Sequence, residues 1–208
     1  MRNKFGTLLM ILGAALMTAA LSLFLYNQRE AAEAEKTSAE LIPQLTAVIE
    51  ENKTAAPEQT AEVPNTPAEL LDPSELVMTE VEINGYAYVG CLSIPALDLQ
   101  LPVMSGWDDT RLKMAPCRYA GSVKGEDLVV MAHNYAYHFG RISELSPGDS
   151  VIFTDMDGGV YQYEVVARDV LLPTAVEEMT AGNFDLTLFT CTYGGQSRVT
   201  VYCDLVKD

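Results

Sequence analysis

The sequence predicts a mainly-β protein: a closed or nearly closed β-barrel with a few short helices, preceded by a transmembrane helix and a stalk. Three observations predict it. An uncharged apolar run lies close to the N-terminus, a stretch rich in Ala, Glu, Thr and Pro follows it, and from Val81 onward short strand-like runs alternate with turn residues. These features divide the 208 residues into a cytoplasmic tip and membrane helix over 1–27, a stalk over 28–80 and a barrel domain over 81–208.

The apolar run extends from Phe5 to Tyr26. At 1.5 Å per residue, its roughly 22 residues reach about 33 Å, enough to cross a hydrocarbon core of about 30 Å. A cleaved signal peptide has a shorter apolar region with a small-residue site close behind it. Here LSLFLY keeps the segment apolar to its end, which favours an uncleaved signal-anchor over cleavage. Arg2 and Lys4 precede the span, whereas Arg29 and Lys36 beyond it are mixed with glutamates. The positive-inside bias therefore places the N-terminus in the cytoplasm and the remainder outside a single-pass cell-membrane protein.

In the stalk, Leu41, Ile42, Leu45, Val48 and Ile49 recur at helical spacing and predict a short amphipathic helix. It either stands in solvent or packs on the domain or a neighbour. From Glu51 to about Pro73 the prolines and glutamates, with few aromatics, read as an extended linker.

The barrel residues follow in order. YAYVGCLSIPALDLQLPVM, 86–104, reads as two strands joined at Pro95–Asp98, and DLVVMAH, 127–133, as a buried strand ending at a histidine. FGRISEL, 139–145, forms a helical turn or two before the SPGD turn. Residues 150–172 make a hairpin whose DMDGG tip supplies positive-φ positions. PTAVEEM offers a short helix, and DLTLFTC and SRVTVYCDLV are the last two strands. Many short strands with few helices point to a barrel, and about 127 residues suffice for one core.

Charge and cysteine usage exclude several functions. The formal net charge is -16, made of +2 over 1–27 and -9 over each of 28–80 and 81–208. Such an acidic exterior argues against nucleic-acid binding through phosphate neutralisation. Four cysteines, Cys91, Cys117, Cys191 and Cys203, are too sparse for a disulfide scaffold, and no CxxC pair suggests zinc. Asp155 and Asp157 open a DxDG sequence, but no suitable glutamate completes a calcium loop, so a hairpin turn is the better reading. No metal or other cofactor is expected.

Chemistry concentrates at strand ends. A cysteine nucleophile needs a neighbour that favours thiolate, a base or acid for the leaving amine, and donors for an oxyanion. Cys191 ends one strand-like run, His133 another, and Arg198 begins the last. Cys91, Cys117 and Cys203 read as buried packing residues, and His138 as a surface or capping residue. Trp107 reads as core packing or a loop anchor, with Arg118 and Arg141 as reserve cations.

The run TLFTC, 187–191, resembles the TLxTC signature of the sortase family. AHNY, 132–135, is similar to the segment that carries the family's catalytic histidine, and Arg198 completes the order His, Cys, Arg. The likeness extends from about residue 88 to 206 through LSIP, HFGRISEL, GDSVIF and DGGVYQYEV, and the anchor and stalk fit it. The resemblance implies an eight-stranded sortase barrel and a cysteine transpeptidase of the Gram-positive cell-wall type. Cys191 would attack a carbonyl in an LPxTG-like C-terminal sorting signal of a surface protein and form a thioester. His133 would protonate the departing amine and then help activate the incoming one. Arg198 would bind substrate or stabilise the oxyanion, with Thr190 contributing to that pocket. The acceptor would be an amine of a peptidoglycan precursor or of another protein, such as a pilin lysine. CTYGG resembles class B members, while the compact body is closer to class D. Only TYGGQS separates Cys191 from Arg198, short by family standards. Two other functions remain open at this point: a non-catalytic β-barrel binding module on a membrane stalk, and a hydrolytic cysteine protease that resolves the same thioester with water.

Overall fold

The structure, a computed structural model, describes residues 2–55 and 77–207. The N-terminal segment is one continuous helix, α1, from Arg2 to Ala55. This corrects the separate short stalk helix expected from the sequence. Residues 27–40 contain neither Gly nor Pro and are rich in Ala and Glu, so strong helix formers join the apolar run to the amphipathic one. The linker expected from Glu51 is helical as far as Ala55, and the rest of it, 56–76, lies outside the described residues.

The two parts of α1 have different surroundings. From Phe5 to Tyr26 the large apolar side chains are exposed, and the segment is long and apolar enough to cross a membrane. Further along, Ala34, Ser38, Leu41, Leu45 and Ile49 are buried, a stripe with steps of three and four residues. Leu41, Leu45 and Ile49 pack with Tyr88, Met104, Leu112 and Met156 of the barrel domain.

Nine strands follow: β1 Val81–Ile83, β2 Tyr86–Ile94, β3 Leu99–Met104, β4 Cys117–Ala120, β5 Leu128–Ala132, β6 Ser150–Asp155, β7 Val160–Leu171, β8 Leu186–Cys191 and β9 Arg198–Leu205. Eight of them, β2 to β9, run in the order β2-β3-β4-β5-β8-β9-β7-β6 and close through β2–β6 pairing, while β1 adds to β2. The result is the eight-stranded barrel expected from the sequence. Closure has a steric condition at Gly90, where a Cβ would stand 2.2 Å from the Thr154 carbonyl oxygen on β6. No larger residue fits that approach.

Short helical pieces lie at the strand ends: single turns at Pro95–Leu97 and Ile142–Glu144, α2 over Asp109–Met114 and α3 over Val176–Thr180. Neither α2 nor β4 is evident from the sequence pattern. The cap of α2 is nevertheless written in it: the Asp108 carboxylate accepts the Thr110 and Arg111 amides, each at 2.8 Å. Inside the barrel, Leu92, Leu101, Val130, Leu188 and Val201 are fully buried with the rest of one continuous apolar core.

Candidate active site

The strand register assembles the predicted residues in one row. β5 and β8 run parallel with Met131 beside Phe189 and Ala132 beside Thr190. One step further, His133 therefore stands beside Cys191 at the common C-terminal end of the two strands. β9 runs antiparallel on the other side of β8 and puts Arg198 directly opposite Cys191. Neighbouring strands are about 4.8 Å apart, so the three side chains spring from adjacent positions on a rigid sheet.

Alternation also puts them on one face. Leu128, Val130, Leu186, Leu188 and Val201 point into the barrel, as their burial in its core shows. Val129, Met131, Thr187 and Phe189 point the other way, and so does Cys191 after them. Val129 and Phe189 form a separate apolar cluster with Met179 of α3. Tyr119 lies edge-on to Phe189 and stacks on Trp107, with ring centroids at 5.3 and 5.7 Å. Trp107 is 48% exposed, so it anchors a loop on the surface rather than filling the core.

Around Cys191 opens a cleft of about 140 Å³, lined also by Asn134, Phe139, Gly140, Ser143, Thr190 and Tyr193. Thr190 is buried and its hydroxyl donates to the Ala132 carbonyl at 2.8 Å. That bond ties the β8 end to the β5 end, immediately before Cys191 and His133. His133 is half-buried, and burial followed by the nearby Lys113 charge lowers its pKa below the usual 6.5. Imidazole is then neutral near pH 7 and free to act as a base.

The loop after Cys191 is a self-bonded turn. Thr192 and Ser197 exchange hydrogen bonds, and the Gly195 amide donates to the Thr192 carbonyl at 2.8 Å. Gly194 and Gly195 take φ values of 84° and 72°, which suit glycine and allow so short a connection. Tyr193 at its tip is 91% exposed. Arg198 Nη1 donates to the Gly195 and Ser197 carbonyls, both at 3.1 Å, so the guanidinium braces this loop. Its Nε and Nη2 make no hydrogen bond to the described residues.

The other candidates lie elsewhere. Arg118 binds the Ser105 and Gly121 carbonyls, and Arg141 pairs with Glu144. Cys91, Cys117 and Cys203 are buried free thiols, and burial pushes Cys91 up to about 11 and Cys117 up to about 12. Asp155 is buried and accepts from Asp157 N, Gly159 N and Tyr161 Oη, which makes it the organiser of the hairpin turn. Among the described residues, no cluster of His, Cys, Asp and Glu could hold a metal ion.

His138 corrects the surface reading. It is completely buried, and neither ring nitrogen has a hydrogen-bond partner among the described residues. The chain turns back after His133, with the Phe139 amide donating to the His133 carbonyl and the His138 amide to the Tyr135 carbonyl, and this folds His138 inward. Tyr135 lies between the two imidazoles, 5.0 Å from His133 and 5.5 Å from His138 by ring centroids. The sequence also gives no hint that α1 reaches this loop. Glu30 of α1 accepts from Lys113 of α2 at 3.0 Å and from Tyr135 at 3.4 Å. Hydrogen bonds from Tyr26 and Lys113 hold the Glu30 carboxyl below the ordinary carboxylate range.

Comparison with known proteins agrees with this geometry. The Sortase domain family matches residues 92–206, more than half of the chain, and the chain belongs to that family. No curated protein sequence matches it. Among solved structures, sortase C1 of Streptococcus suis is 27% identical, with a TM-score of 0.52 over 58% of this chain and 74% of that one. Sortase C of Streptococcus pneumoniae is 24% identical, with a TM-score of 0.57 over 81% and 97% of the two chains. Sortase A of Corynebacterium diphtheriae is 21% identical, with a TM-score of 0.54 over 90% and 96%. The last two likenesses concern the fold.

Proposed function

We propose that this sortase is a membrane-anchored cysteine transpeptidase whose nucleophile is Cys191. The observation that carries the reading is the row His133–Cys191–Arg198 on adjacent strands, beside a cleft wide enough for a peptide side chain. Neutral His133 takes the thiol proton, and the thiolate sulfur attacks the peptide carbonyl carbon of an LPxTG-like sorting signal. The tetrahedral oxyanion accepts from the free Nε–H and Nη2–H groups of Arg198. Collapse breaks the C–N bond, and the imidazolium gives its proton to the departing amine. The thioester is then attacked by an incoming amine of a cell-wall precursor or of another protein. His133 takes that amine's proton and returns it to the Cys191 sulfur as the thioester breaks. Thr190 serves the site by holding His133 and Cys191 in register. The N-terminal helix keeps the domain on the outer side of the cell membrane.

The test is mass spectrometry of the chain incubated with a library of sorting-signal peptides. The expected result is an adduct on Cys191 with the mass of the peptide's N-terminal portion, released as a ligated product when an amine is added. Cys191→Ala is expected to give no adduct, and His133→Ala and Arg198→Ala to lose transfer by at least about a hundredfold with folding intact. An adduct elsewhere, or full transfer by Cys191→Ala, would overturn the assignment.

A further inference from the structure

Where the active-site end of the barrel stands relative to the bilayer is fixed by α1. The helix is unbroken by proline from Phe5 to Glu30, and its apolar run stops at Tyr26. One turn further, Glu30 accepts from Tyr26 at 2.7 Å and also binds Lys113 of α2 and Tyr135 of the His133 loop. At 1.5 Å per residue, Glu30 stands about 6 Å beyond Tyr26. A bilayer is about 40–45 Å thick with a hydrocarbon core of about 30 Å, which leaves about 5–8 Å for each headgroup layer. The His133 loop is thus held at headgroup level. From this we infer that the active-site end of the barrel rests on the outer bilayer surface through a rim of exposed aromatic side chains.

The distribution of aromatics supports this independently. Trp107, Tyr137 and Tyr193 are 48%, 49% and 91% exposed, while every other aromatic side chain of residues 77–207 is buried or half-buried. Tyr137 and Tyr193 sit on two loops at one end of the barrel, one leaving β5 and the other leaving β8 where these parallel strands end together. Trp107 does not join them: β3 runs antiparallel to β5, so its loop leaves toward the other end, and the indole stacks on Tyr119 against the outer wall. The exposed Leu172 joins them, because Leu171 pairs with Arg198. Amphipathic aromatic rings favour the membrane–water interface, where the ring is half-desolvated and its polar group remains wet. The domain over 81–208 carries a net charge of -9, so the occupant is a zwitterionic lipid surface met through aromatic rings and not an anionic one met through basic charge.

The inference rests on α1 being a membrane anchor, and the experiment separates the two. Trp107 is the single tryptophan of the chain, so the double substitution Trp107→Phe and Tyr193→Trp moves that fluorophore to the rim, where it reports depth. The full chain is reconstituted in phosphatidylcholine vesicles, washed in alkaline carbonate, and its fluorescence measured with lipids brominated near the headgroup or near the chain end. Retention in the vesicles with quenching at least about twofold greater from the shallow label is the expected result. Inserting seven alanines after Asn27 adds about 10 Å with nearly unchanged helical phase, and is expected to bring quenching down to the unbrominated baseline. Retention with the rim tryptophan unquenched and open to aqueous iodide overturns the inference and leaves the anchor standing. Loss in carbonate overturns the anchor, and the inference with it. Protection of the rim tryptophan from iodide that falls on dilution with lipid assigns the rim to a second copy of the chain and also overturns the inference.

Discussion

The barrel interior and the seam beneath α1 are both well packed, but they are closed by different means. The interior is lined by strand residues and by side chains of the connecting loops and single turns, such as Leu97, Phe139 and Ile142, and is completed where β2 meets β6. The seam has a floor of Tyr88, Met104, Leu112, Cys117 and Met156, and its cover is Leu41, Leu45 and Ile49 from a helix that precedes the domain. The first arrangement gives the His133–Cys191–Arg198 row a rigid base independent of α1. The second makes the latter half of α1 part of the domain's own packing.

The largest effects are expected from cutting one buried leucine in each region. Leu188 and Leu45 are both fully buried, and Leu→Ala at such sites costs about 2–5 kcal/mol. Leu188→Ala should lower the melting temperature of the whole domain in one transition. Leu45→Ala should instead raise hydrogen exchange in the second half of α1 and along β2 and β3, while the amides of β8 and β9 keep their protection. Equal loss of protection in both regions would erase the distinction. A chain beginning at Val77 should fold its interior yet expose the seam floor and bind a hydrophobic dye.

The barrel was legible because its strands are short apolar runs and its turns carry Gly, Pro and Asp where the backbone needs them. The row of the candidate site was legible because Cys191, His133 and Arg198 each fall at a strand end, the position from which a rigid sheet can aim a side chain. The docking of α1 was only half legible. The stripe of Leu41, Leu45 and Ile49 announces a face that seeks cover, but a helical period contains nothing about which surface provides it. The continuity of α1 was missed because each apolar run was read as its own unit, while Ala and Glu residues between them carry the helix across. His138 was misread for a different reason. Histidine is ordinarily at the surface, and the turn that buries it depends on backbone bonds from Tyr135 and His133 that leave no pattern in residue type.

His138 links the interior to pH. Burial lowers its pKa from 6.5 to about 4, with the His133 charge adding to the effect. Above pH 6.5 both folded and unfolded chains hold it neutral and stability does not depend on it. As pH falls from about 6.5 to 4, the unfolded chain takes up the proton first, so stability is lost across that window and levels off below it. At about 1.4 kcal/mol per unit, the loss is roughly 3 kcal/mol. His138→Leu should keep stability at pH 8 within about 1 kcal/mol, since the ring nitrogens have no partners to lose. Denaturant titrations of both proteins at pH 8 and pH 4.5 give the comparison. A pH dependence unchanged by the substitution would show that His138 is not the sensitive group.

Thr190 offers the smallest change and the most local one. Its hydroxyl bond to the Ala132 carbonyl joins the two strand ends that carry His133 and Cys191. Thr190→Val preserves shape and β-branching but removes that bond, at a cost of about 1 kcal/mol. The barrel should remain folded, because the β5–β8 ladder continues from Leu128 to Ala132 without it. The expected effect on transfer is a fall in kcat of about tenfold with KM nearly unchanged, since the bond fixes the reacting pair and not the peptide. Thr190→Ser, which restores the donor, should recover most of the rate. A Thr190→Val protein that raises KM and leaves kcat intact would place this hydroxyl in peptide binding instead, and the row would then owe its alignment to the strand register alone.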